Sequence, residues 1–153
     1  MARGGVFRWF TVVASLVSPG GATARDAGRF AYNLFVNAEE EQADPVVWAR
    51  TTPAFAACQK RAKITSEYDA CFAAEFKRQD AALNHVWKAT FARIKGPDHA
   101  GLLAAQREWL AARDPFCHTD ADGFEGGTIM TIVYGSCQVE LTIRRTIWLE
   151  HLR

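Results

Sequence analysis

Four cysteines, Cys58, Cys71, Cys117 and Cys137, are the residues of this 153-residue chain with the widest chemical range. Free, they could attack a carbonyl or hold a metal; paired, they would form disulfides, and the redox compartment decides between these fates. Cys117 beside His118 invites a nucleophile reading, but neighbours at a helix end point apart and an oxidising compartment would consume the thiol. The four histidines, His85, His99, His118 and His151, show no paired ligand spacing, which leaves zinc without support. Asp120-x-Asp122-Gly123 imitates part of a calcium loop. That template requires an oxygen ligand where His118 stands and a bidentate Glu where Ile129 stands, so calcium affinity should be negligible. No G-x-S-x-G, P-loop or H-E-x-x-H motif occurs. The expectation is a protein without metal, cofactor or catalytic residues.

Residues 1–24 bear on the compartment. Arg3 and Arg8 form a positive start, Trp9 to Val17 is apolar, Ser18-Pro19-Gly20-Gly21 breaks it, and Ala22-Thr23-Ala24 supplies small residues where a signal peptidase reads. The layout predicts a signal peptide cleaved near Ala24 and a mature protein in the periplasm or medium. Losing Arg3 and Arg8 turns the formal net charge from +1 to −1. That balance argues against nucleic acid, and no apolar run reaches the ~18 residues of a membrane span. In an exported chain the cysteines should form two disulfides, for which three connectivities are possible. Local pairing, Cys58 with Cys71 and Cys117 with Cys137, is favoured because each bond would tie a helix to its neighbour. Loops of that size contribute roughly 3 kcal/mol each in the chain-entropy model.

The elements that must position these residues read as helices. Residues 25–52 lack a period and are expected to be an irregular arm or linker, with a helical domain over 53–153. A short helix around Ala54–Ala62 carries Cys58. Tyr68, Phe72, Phe76, Leu83, Val86, Trp87, Phe91 and Ile94 then recur at helical steps, placing one apolar face along a helix from about Ser66 to Lys95. Thr65 or Ser66 could cap it and Gly96-Pro97 end it. Asp98 offers a cap for a second helix whose inward stripe includes Leu102, Leu103, Gln106, Trp109, Leu110 and Arg113, with Pro115 expected to kink or close it. His118 to Gly127 reads as an exposed loop. Thr128 could cap a third helix bearing Ile132, Val133, Cys137, Leu141, Arg145 and Leu149 inward. The predicted fold is all-α: a disulfide-stapled antiparallel three-helix bundle with a short preceding helix.

Polar residues interrupt the apolar stripes. Asp80 and Asn84 lie on the first helix, Gln106, Arg113 and Asp114 near Trp109 on the second, and Thr142 and Arg145 on the third. Polar groups at core positions are costly unless paired, so one mutually satisfied network is expected, with Asp80 or Asp114 bonded to Arg113 or Arg145. An arginine partner would keep such an aspartate ionised and make it a poor proton donor.

These residues also carry a resemblance. Asp80-x-x-Leu83-Asn84, Leu103-x-x-Gln106-Arg107-x-Trp109-Leu110-x-x-Arg113-Asp114-x-x-Cys117, Gly126-Gly127-Thr128 and Cys137-x-x-x-Leu141-Thr142-x-x-Arg145, with Leu149, resemble the lysozyme inhibitor LprI-like family. The resemblance runs from about Cys58 to Leu149. Trp87 stands where the family commonly has Tyr, and Pro115 where a small residue is usual. Membership implies a helical, disulfide-tied domain outside the cytoplasm and a protein partner, with inhibition of lysozyme as the named activity.

Lysozyme works with two carboxylates in an open cleft, which an inhibitor must fill. The loop bearing His118, Asp120, Asp122 and Glu125 is the candidate partner-binding segment. Its acids would attract the basic surface of an animal lysozyme but repel the catalytic pair, so the loop should grip the rim and leave a base such as Arg107 or Lys95 for the cleft. The competing expectation is a structural or adaptor domain with residues 25–57 as its contact arm.

Overall fold

The computed structural model describes residues 45–152, and among them there are five helices and no strand. These are α1 (Pro45–Trp48), α2 (Pro53–Arg61), α3 (Thr65–Arg93), α4 (Pro97–Asp122) and α5 (Met130–His151). The signal peptide, its cleavage site and residues 25–44 of the expected arm lie outside the described residues. The all-α bundle with a short preceding helix is what the sequence implied.

Helix α3 runs 29 residues because nothing from Thr65 to Arg93 is Gly or Pro. Its start has no side-chain cap from Thr65 or Ser66; Ile64 occupies the cap position, and Glu67 instead accepts the Lys63 N–H at 2.6 Å. Gly96, at φ +75°, makes the sharp turn into α4, and Pro97 begins that helix. Asp98 sits in the first turn of α4 rather than capping it. Pro115 does not close α4, which continues to Asp122. The far half is held by Cys117 and Ala121, both fully buried, while Pro115 itself is exposed. Residues 118–122 are therefore helical, and the loop expected from His118 is shortened to 123–129. Thr128 does not cap α5, where Ile129 takes that position.

Helix α5 lies between α3 and α4, which touch each other at few points. Phe72 meets Gly135 near the starts of α3 and α5, and Thr90 donates to the Leu149 carbonyl near their ends, so these two helices run parallel. Helix α4 runs antiparallel to both. One core joins Leu83, Leu102, Trp109, Leu141 and Leu149; a second joins Val47, Phe55, Phe72, Val139 and Ile143. Disulfides link Cys58 to Cys71 and Cys117 to Cys137, the local pairing.

Residues 45–52, the described part of the expected arm, do not behave as a loose arm. Val47 of α1 is buried in the second core. Glu75, completely buried in α3, accepts from the Thr52 N–H (2.8 Å), the Thr52 hydroxyl (2.6 Å), Gln79 (2.7 Å) and Arg78 (2.9 Å). Thr52 in turn caps α2 through the Phe55 N–H, and Gln79 also donates to the Arg50 carbonyl. One buried carboxylate thus fixes the α1–α2 junction to α3, and the folded unit begins by Pro45.

Two consequences are measurable. A Cβ at Gly135 would lie 2.9 Å from the Phe72 Cβ, so Gly135→Val should cost about 1–3 kcal/mol by overpacking and lower the Tm by several degrees. An unchanged Tm would show that α3 and α5 can separate freely. Burial pushes the Glu75 carboxyl up, but the bonds from Thr52, Gln79 and Arg78 outweigh it and hold the group below the usual carboxylate range. Its stabilisation is complete above the unfolded pKa of about 4.3 and is lost as pH falls through the lower folded value. Glu75→Gln should therefore lower stability by about 2 kcal/mol at pH 7, with the gap to the unaltered protein narrowing as pH falls from about 5 to 3. A gap independent of pH would contradict an ionised Glu75.

Candidate functional site

The polar residues of the bundle separate into two groups, each with an arginine near the Trp109 ring. In the outer group, Arg113 bridges Asp80 at 3.2 Å and Asp114 at 3.0 Å. Asn84 donates to Asp80, and Gln138 donates to Asp114 and to the Tyr134 hydroxyl. The arginine is mostly buried, stacked over Phe76, with its guanidinium carbon 5.3 Å from the centre of the Trp109 ring; both aspartates are partly open to solvent, and Asn84 is exposed.

The inner group is Arg145 and Gln106. Arg145 is 1% exposed and donates once, to Gln106 Oε1 at 2.9 Å. Among the described residues no carboxylate reaches it. Its guanidinium lies 4.0 Å from the centre of the Trp148 ring and 5.6 Å from that of Trp109, and its two terminal nitrogens have no hydrogen-bond partner. Burial lowers its pKa to about 9, which leaves it charged at neutral pH. Thr142 belongs to neither group, since its hydroxyl donates to the Gln138 carbonyl one turn back on its own helix. The single network expected from sequence is thus two, linked through an aromatic ring, and the expected charge pair forms with Arg113 alone.

Neither group is arranged for proton transfer. Burial raises the Asp114 carboxyl, but hydrogen bonds from Arg113 and Gln138, with the charges of Arg113 and His118, bring it below the ordinary range. An ionised acid held by an arginine cannot donate a proton. An open cleft of about 380 Å³ beside the α1–α2 junction is lined by Arg50, Arg78, His85 and Glu150 among others. Its two arginines are already engaged, Arg50 by Glu150 and Arg78 by Glu75. Among the described residues no cluster of His, Cys, Asp and Glu is placed to hold a metal, and no helix is long and apolar enough to cross a membrane.

The end of the bundle where α4 turns into α5 has a different character. His118, stacked on Tyr134, and Asp120 and Asp122 are exposed on the last turns of α4, and Glu125 is exposed on the 123–129 connection. Phe124 and Ile129 on the same connection are each 48% exposed. The bases proposed for a cleft do not share this end. Lys95 precedes α4, about 40 Å away along its axis, and Arg107 lies about 24 Å back. The sequence reading put all three acids on a loop, whereas Asp120 and Asp122 lie on the end of α4, and it passed over Phe124 and Ile129, hidden in a polar, glycine-rich run. It also missed Glu75, whose apolar neighbours Phe72 and Phe76 mark its position as inward, and Gln138, which links Asp114 to Tyr134.

The family model described as lysozyme inhibitor LprI matches residues 56–149, well over half of the chain. An uncharacterized protein of Rhizobium meliloti (strain 1021) is 29% identical over 108 residues, covering 61% of this chain and 76% of that protein. No solved structure matches. The matched span takes in α3, α4, both disulfides and almost all of α5, and the chain belongs to the lysozyme inhibitor LprI family.

Proposed function

We propose that this protein is exported to the cell envelope and inhibits lysozyme by occluding the enzyme's cleft, without a cofactor and without chemistry of its own. The observation that carries the reading is the match to the inhibitor family over the whole stapled bundle. Two disulfides support export, because such bonds persist in oxidising compartments. Occlusion suits a rigid scaffold: a segment held by a disulfide at its base loses little entropy on docking. The contact surface in this reading is the α4–α5 end, where His118, Asp120, Asp122 and Glu125 face a basic partner. The adaptor reading is less favoured, since Val47 and Phe55, in the described part of the supposed contact arm, are buried in the core.

The test is the residual activity of a basic animal lysozyme on cell-wall substrate at rising concentrations of the mature chain. Activity should fall to near zero at molar excess, and undiminished activity at large excess would refute inhibition. Reversing Asp120, Asp122 and Glu125 to Lys together should weaken inhibition at least tenfold at low salt and less at high salt, where surface charges are screened. Equal potency in the reversed variant would remove these acids from the interface.

A further inference from the structure

The last turn of α4 carries Asp120 and Asp122 and no base. Carboxylates at a helix C-terminus oppose the macrodipole, so this arrangement costs local stability. Neither they nor Glu125 form an ion pair or side-chain hydrogen bond among the described residues. Burial and the nearby charge of Glu140 both push the Asp120 carboxyl up. Negative charge has accumulated at this end, and no ion pair among the described residues balances it.

Two large apolar side chains project from the middle of that charge. Phe124 and Ile129 flank Gly127, whose added Cβ would lie 3.2 Å from the Phe124 carbonyl oxygen and 3.7 Å from the Ile129 side chain. Successive turns hold the tip: Phe124 N–H to Ala121 O (2.9 Å), Gly127 N–H to Phe124 O (3.0 Å) and Met130 N–H to Gly127 O (3.2 Å). Cys117–Cys137 closes its base. An aromatic ring on a rigid mount, ringed by polar groups, is the usual form of an interface anchor.

Resting on the inhibitor reading, we propose that Phe124, with Ile129 beside it, is the group this protein inserts into the lysozyme cleft, while Asp120, Asp122 and Glu125 stay at the basic rim. Charge decides the division of labour. A cleft holding two carboxylates repels an acid, and the bases Lys95 and Arg107 are too far along α4 to enter with the tip. A phenyl ring enters uncharged. It displaces water from the cleft and leaves the acids outside, where they meet opposite charge.

The experiment measures affinity of the full mature chain for a basic animal lysozyme, with and without a chitooligosaccharide occupying the cleft. Phe124→Ser should weaken binding at least tenfold and Ile129→Ser less, both with unchanged Tm because the side chains are half exposed; Phe124→Tyr should retain affinity. Leu110→Ser, an exposed apolar position on α4 away from the tip, should bind as the unaltered chain does. The oligosaccharide should compete. Full affinity in Phe124→Ser, an equal loss in Leu110→Ser, or binding indifferent to the oligosaccharide would each overturn the anchor while leaving inhibition itself standing. No binding by the unaltered chain would overturn both.

Discussion

Arg145 of α5 carries a charge into the bundle with 1% of its surface exposed and no counter-ion within reach among the described residues. A bare cation there would be prohibitive, and the structure supplies what solvation it has from two indole faces and one amide oxygen. Those partners come from different elements: Trp148 from α5, Trp109 and Gln106 from α4. The guanidinium is therefore stable only when α4 is docked on α5 in one register. Trp109 has Arg113 near it as well, and Arg113 reaches across to Asp80 on α3. A single chain of contacts, Arg145 to Trp109 to Arg113 to Asp80, sets the relative positions of all three long helices.

Close packing makes that register possible. Helix α5 is buried toward both neighbours, which requires a small residue where α3 comes nearest, and Gly135 provides it. The threonines on the same helix avoid the cost of burial by bonding within it: Thr142 to the Gln138 carbonyl, Thr146 to the Thr142 carbonyl. The disulfides both act toward the end of the bundle where α3 and α5 begin, Cys58–Cys71 fixing α2 and Cys117–Cys137 fixing the α4–α5 turn.

Helical periodicity made the apolar stripe of α3 legible because 3.6-residue spacing is a local property of the sequence. The local disulfide pairing was legible for a similar reason, since each pair spans one turn of the chain. Glu75 was not, because its partner Thr52 lies 23 residues earlier and in a stretch without period. The end of α4 was misread on composition: His118-Thr119-Asp120-Ala121-Asp122 is polar enough to resemble a loop, but burial of Cys117 and Ala121 on one face keeps it helical. At the candidate site the acids were visible as charges, whereas Phe124 and Ile129 became visible only as exposed apolar groups once the fold showed that no core claims them.

The residues that carry the family resemblance do two separable jobs. Gln106, Trp109, Arg113 and Arg145 lie in or beside the core and define the bundle. Gly126 and Gly127 lie at the tip and define its shape: the first adopts φ +78°, and a side chain on the second would crowd the Phe124 carbonyl. The exposed side chains on either side of those glycines bear no structural load. Phe124, Glu125 and Ile129 could change without disturbing either core, because the backbone beneath them is set by the glycines, the turns and the disulfide. In a scaffold of this kind the exposed surface can change while the fold stays constant, so membership in the family fixes the bundle more firmly than it fixes a partner.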